Sequence, residues 1–228
     1  MLIAEDLLLL LTRDDSGSLL VSDYQVDPAL AGALLLELAL QGRVDVAGEG
    51  EAVKPGRVVV RDGSTTGDDL LDRTLAGLAA SKPRKPKDHL GAMAKGLRPA
   101  LYARLADQGA VRLEEGRVLG VIPRKRWPAA DTAREGVTRA HLEEALLGTT
   151  MPEPRTAALV ALLHAVGAVP KVVDPKAHGV TRRELGARAK VLAEGNWASK
   201  AVRQAIEEVV GAVVAATTAA VVVSSGAG

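Results

Sequence analysis

The chain has 228 residues, 47% of them hydrophobic and 25% charged, with a formal net charge of +1. This is a globular balance, and with so little net charge any attraction to nucleic acid or anionic lipid must come from a local patch. Cysteine is absent, which excludes disulfides, thiolate metal sites and a cysteine nucleophile, and fits a reducing compartment.

Phenylalanine is also absent and aromatics are 2%, so the core must be built from Leu, Val and Ala. A chain rich in Ala, Gly, Val and Arg but without Phe or Cys points to a GC-rich bacterial genome. The opening run MLIAEDLLLLLT has no basic flank and carries Glu5 and Asp6, so it reads as a helix over residues 1–12 and not as a secretory signal. RDDSGS is a turn and LLVSDY a short extended piece. Asp27 is expected to cap a helix with Pro28 in its first turn, ending at Gly42. RVDVAGEGEAVKPGRVVVRD alternates around a Gly-rich turn and predicts a β-hairpin. TTGDDLLDRTLAGLAA predicts the next helix, with Thr66 and Asp69 in capping-box spacing.

SKPRKPK, residues 81–87, is a basic linker broken by prolines. Helices are expected at about 88–95 and 97–109, then a strand, a turn at Glu115-Gly116 and an apolar strand. Helices near 138–148, 153–168, 180–193 and 197–222 complete the chain. The apolar run from Val209 to Val223 falls short of the roughly 18 residues of a spanning helix and reads as a buried helix. The fold class expected is therefore mainly α: a single globular helical domain over 1–228 with a central helical bundle, surrounding amphipathic helices and two short β-hairpins. The protein is expected to be cytoplasmic, at most peripheral on the inner face of a membrane.

Motifs for catalysis are missing. His89, His141, His164 and His178 form no HExxH or Asp-x-His arrangement. Asp68, Asp69 and Asp72 suit a helix start, where acidic groups favour the dipole, better than a metal site. GEGEAVKPG lacks the ending of a P-loop and opens no helix, and no G-x-S-x-G elbow is present. No cofactor and no metal are expected. A helix–Gly–hairpin outline recurs at 28–61 and 97–123 and is also that of a winged helix. The first copy is apolar nearly all round. The second, with Lys95, Arg98 and Arg104, leaves a DNA-binding regulator open as an alternative, and a ligand-free protein-interaction scaffold is another.

Four segments, EDLLLLLT (5–12), LLLELALQGRV (34–44), TTGDDLLDRTL (65–75) and LYARLADQGAV (101–111), follow one another in the order and spacing of the Golgi phosphoprotein 3 family. The sequence resembles that family along nearly its whole length, least after about residue 170, and is similar to a bacterial, actinobacterial-type member. The resemblance implies a non-catalytic, mostly helical peripheral membrane protein. Its eukaryotic members bind phosphatidylinositol 4-phosphate and act as Golgi adaptors that retain glycosyltransferases. It implies an anionic phospholipid as partner, with protein tails and a homo-oligomer as further candidates and nucleic acid disfavoured. The family's head-group pocket joins a Trp and an Arg of an early segment to two basic residues one turn apart on a later helix. The later pair falls on Lys95 and Arg98, while the early positions fall at Val21 and near Ala31, which carry neither side chain.

Lys95 and Arg98, read as neighbours on one face at a helix start, could grip a phosphate with backbone N–H groups. They could equally be solvated, or pair with carboxylates such as Asp88 or Asp107. RVLGVIPRKRWP sets Val118, Leu119, Val121 and Ile122 beside Arg124, Lys125, Arg126 and Trp127. An apolar tip, a basic collar and a Trp suit a hairpin that dips into an anionic interface, and the family's membrane-inserting hairpin lies at the corresponding place. The other reading packs the apolar side on the body and leaves RKRWP as a surface turn.

Overall fold

Helix formation starts in the first apolar run. The computed structural model, which describes residues 1–118, 122–148, 151–194 and 200–225, places α1 at Ile3–Leu10 and buries all of it, Glu5 and Asp6 included. The next helix, α2 (Asp23–Leu40), begins earlier than expected. Its cap is Ser22, whose backbone N–H and hydroxyl both donate to Gln25 Oε1 (3.3 and 2.6 Å). Asp27 and Pro28 therefore lie inside the helix. Pro28, the sixth residue of the helix, leaves the carbonyl of Tyr24 without its intrahelical N–H, at an exposed turn where water can reach it. The helix stops before Gly42, whose φ of 69° only glycine adopts freely.

A first hairpin pairs β1 (Val44–Val46) with β2 (Val58–Val60), Val44 opposite Val60. Helix α3 (Asp69–Ala80) is capped by Asp68, which accepts from Leu70 N and Leu71 N at 2.9 and 3.2 Å. The expected Thr66–Asp69 box does not form, because the Thr66 hydroxyl donates instead to Asp72 (2.8 Å). After the basic linker come α4 (Pro86–Ala94) and α5 (Leu97–Asp107).

The second hairpin pairs β3 (Glu114–Val118) with β4 (Ile122–Arg126). Glu115 and Gly116 lie within β3, opposite Lys125 and Arg124, so the expected turn there is replaced by strand. The pairing sets Glu114 opposite Arg126 and Glu115 opposite Lys125, matches that stabilise an antiparallel ladder. The second strand is thus basic where an apolar one was expected. Helices α6 (Ala133–Leu147), α7 (Pro154–Ala165), α8 (Val169–Val172), α9 (Arg182–Ala193) and α10 (Lys200–Ser225) follow, the short α8 being unanticipated.

The result is mainly α-helical, with two small antiparallel sheets among the described residues. Helix α2 is its axis: α1, α4, α7 and α10 all pack on it. A cluster of Leu, Val and Ala side chains runs through α1, α2, α5, α7 and α10, as a chain without Phe requires. Small residues compensate for missing aromatics by letting backbones approach. At Gly32 of α2, a Cβ would fall 2.8 Å from Val213 Cγ2 of α10. No helix among the described residues is long and apolar enough to cross a membrane.

Candidate functional site

Lys95 and Arg98 flank the elbow between α4 and α5. Lys95 ends α4 in an extended conformation, Gly96 turns the chain with φ 72°, and α5 opens at Leu97. The two cations therefore straddle a bend and do not share a helical face. Lys95 is exposed and makes no ion pair or side-chain hydrogen bond among the described residues. Arg98 is half-buried and engaged. Its two terminal nitrogens meet the two oxygens of Asp23 at 2.9 and 3.0 Å, a bidentate fork. Its Nε lies 3.0 Å from Asp27 Oδ1, yet that buried oxygen accepts no well-aligned hydrogen bond there, so the contact is one of charge only.

The carboxylates respond in opposite ways. The hydrogen bond from Arg98 holds Asp23 below its ordinary pKa, whereas burial raises Asp27 against the pull of the same guanidinium. Asp23 and Asp27 stand one turn apart on α2. Neither reads as a partner of Arg98 in the sequence, where Asp27 is expected as the cap of a helix with Pro28 in its first turn and Asp23 falls in the extended piece before it. The spacing D-x-x-x-D at a helix start was the available signal.

One turn beyond Arg98 on α5 lies Tyr102, whose hydroxyl is 2.8 Å from Thr12 Oγ1. Trp127 stacks on Tyr102 with ring centroids 5.1 Å apart and planes 2° from parallel. The structure thus places Trp127 at the base of the second hairpin, partly buried against the core, and not as a ring free for an interface. Lys125 and Arg126 are exposed, with Lys125 3.8 Å from Glu115. Ile122 and Arg124 belong to β4; Leu119 and Val121 lie outside the described residues. Val21 and Ala31 are buried and apolar.

The segments that carry the family pattern meet through two arginines. Arg104 of α5 binds buried Glu5 (3.0 Å) and Asp68 (2.5 Å). Arg155 of α7 binds Asp6 (2.8 Å) and Glu37 (3.0 Å) and donates to the Met1 carbonyl (2.7 Å). Glu5 and Asp6 thus point to different partners, as adjacent helical residues must. These residues staple the N-terminus into the core. On α5, Leu97, Leu101, Tyr102 and Leu105 are buried and both arginines are taken by carboxylates, so the helix presents no free basic stripe of the kind that reads DNA. Among the described residues, no His, Asp and Glu side chains cluster as a metal site would need.

A helical frame of this layout, with acidic residues of three separate segments locked by arginines of two others, defines a class. The model of the Golgi phosphoprotein 3 family matches residues 3–209, and the chain belongs to that family. It is similar to vacuolar protein sorting-associated protein 74 of Eremothecium gossypii, at 27% identity over 201 residues. The match takes in 75% of this chain and 60% of the relative, so the chain spans less than two thirds of that protein's length.

Proposed function

We propose that the protein is a non-catalytic peripheral membrane protein that binds an anionic phospholipid head group at the α4–α5 elbow. The observation that carries this reading is the exposed, unpaired ammonium of Lys95 beside a guanidinium whose partner is accessible: the Asp23 side chain is 70% exposed. A phosphomonoester carries nearly two negative charges and several strong acceptors. It can draw Arg98 from Asp23 and bridge it to Lys95, while Asp23 turns into water. Family membership supports a lipid ligand. The apolar Val21 and Ala31 remove two further contacts and argue for a weak preference among anionic head groups. The exposed Lys125 and Arg126 add attraction of about 1 kcal/mol each near an anionic surface.

Sedimentation with vesicles tests the reading, using phosphatidylcholine alone and with phosphatidylserine or phosphatidylinositol 4-phosphate added. Anionic vesicles should pellet the protein. Lys95→Ala/Arg98→Ala should weaken that by about tenfold or more. Equal pelleting of the double variant overturns the site.

A further inference from the structure

The elbow sets two cations, Lys95 and Arg98, against two carboxylates, Asp23 and Asp27, and the carboxylates are not equivalent. Asp23 is 70% exposed at its side chain and takes the Arg98 fork with both oxygens, at 2.9 and 3.0 Å. Asp27 is 35% exposed, and its Oδ1 is wholly covered. Arg98 Nε lies 3.0 Å from that oxygen, yet no donor among the described residues is aligned to it. A carboxylate oxygen shut off from water and without a hydrogen bond depends on a nearby positive charge to stay ionised. Here that charge is Arg98, which Asp23 shares.

The surroundings offer no substitute among the described residues. Burial, the largest influence, raises the pKa of Asp27; Arg98 from α5 pulls it down, and Asp23 from its own helix adds to the rise. Lys95, at the end of α4, forms no ion pair with either carboxylate. Tyr102 of α5 shares its hydroxyl with Thr12 (2.8 Å). Lys171 of α8 reaches the approach to α2 but donates to the Leu20 carbonyl (2.9 Å). Asp23 can turn into water when Arg98 leaves it, and its ordinary value of 3.8 keeps it ionised above about pH 5. Asp27 has no such exit for its covered oxygen.

We infer that the elbow takes up its anion together with a proton: when a head group draws Arg98 away, Asp27 binds one proton in its place. This rests on the head-group reading of the elbow and adds its regulation. Before binding, two cations balance two carboxylates. An arriving anion leaves the elbow with excess negative charge, and a proton on Asp27 offsets one unit of it. The proton comes from solvent and joins the carboxylate, and no covalent bond other than that O–H changes. Loss of Arg98 pushes the Asp27 pKa further up, so the bound state holds more protons than the free one. Binding therefore strengthens as pH falls, by about tenfold per pH unit where one proton is fully coupled.

The test is pelleting of the whole chain with phosphatidylglycerol vesicles from about pH 7 to about pH 5, a range in which the lipid's phosphodiester keeps its single charge. Affinity should rise severalfold over that range. Asp27→Asn stands for the protonated carboxyl. It should bind at about pH 7 as tightly as the parent does at about pH 5, with the slope largely gone. Asp23→Asn removes an equal charge but not the covered one, so it should tighten binding and keep the slope. Calorimetry of the parent in two buffers of different ionisation enthalpy counts the proton without any substitution, and uptake should accompany binding. A slope undiminished in Asp27→Asn assigns the pH dependence to the histidines and overturns the inference, as does binding without proton uptake. Equal pelleting of Lys95→Ala/Arg98→Ala would overturn the elbow site and this inference with it. Weakened pelleting of that variant beside a flat parental profile sinks the inference alone.

Discussion

Gly17 combines a φ of 62° with the closest approach in the hairpin region: a Cβ there would fall 2.3 Å from Trp127 N and 2.6 Å from its carbonyl carbon. Backbone cannot move aside as a side-chain tip can. Gly17→Ala should therefore cost about 3 kcal/mol or more, from left-handed strain plus displacement of the Trp127 strand end. Gly42→Ala shares the positive φ but meets nothing within 4 Å, so it should cost only about 1 kcal/mol. Equal losses of melting temperature in the two variants would remove the packing half of this account. At the elbow the same single-residue logic has the opposite sign. Asp23 competes with any phosphate for Arg98, so Asp23→Asn should tighten binding to anionic vesicles by severalfold, on the order of 1 kcal/mol. Unchanged or weaker binding would mean that Arg98 never leaves its carboxylate.

Helices were readable because apolar runs and glycine stops mark them, and the first hairpin because valines alternate around a glycine-rich turn. What failed were starts and turns. The Ser22 cap of α2 was hidden behind the stronger-looking Asp27-Pro28 pair, and with it the acidic pair that holds Arg98. Gly116 resembled a turn, yet the acidic residues of β3 match the basic residues of β4 across the ladder, a cross-strand fact invisible to local propensity. Lys95 and Arg98 read as neighbours on one helical face, but the bend at Gly96 sets them on different elements. Packing between elements was also illegible: nothing in the run LAGALLL says that Gly32 is where α10 touches α2. Gly32→Ala gains helix propensity of about 1 kcal/mol but drives a methyl group into Val213. Overpacking of about 1–3 kcal/mol should prevail, lowering the melting temperature by a few degrees. Val213→Ala added to it should cost less than the two single changes summed; strict additivity would show that the helices part freely.

Stability of the whole molecule should depend on pH in a manner set by one buried carboxyl. Glu135, in the first turn of α6, is 5% exposed, beside Asp14 of the loop after α1 and in ion contact with Arg139. Burial, followed by the Asp14 charge, pushes its pKa up to about 7 against the pull of Arg139. Asp14 also accepts from Ala129 N (3.0 Å), just past the second hairpin, so the group sits where the N-terminal loop, hairpin and α6 join. The ordinary value is 4.5. Below 4.5 both folded and unfolded chains hold the proton, and its contribution is complete. Between 4.5 and about 7 only the folded chain holds it, so stability drains away as pH rises, and above 7 no more is lost. Carboxyls held below their ordinary values by partners act oppositely: Asp68 and Asp72 withdraw support as acid protonates them. The two trends together place the maximum at about pH 4.5, on the acid side of the usual range. Glu135→Gln keeps the shape and removes the titration. Its melting temperature should therefore hold or rise between about pH 5 and 7, because Glu135 no longer takes on the order of 2 kcal/mol there and His89 and His164, whose pKa values burial lowers, add stability as pH rises. A parental slope that survives in Glu135→Gln would assign the pH dependence to other groups.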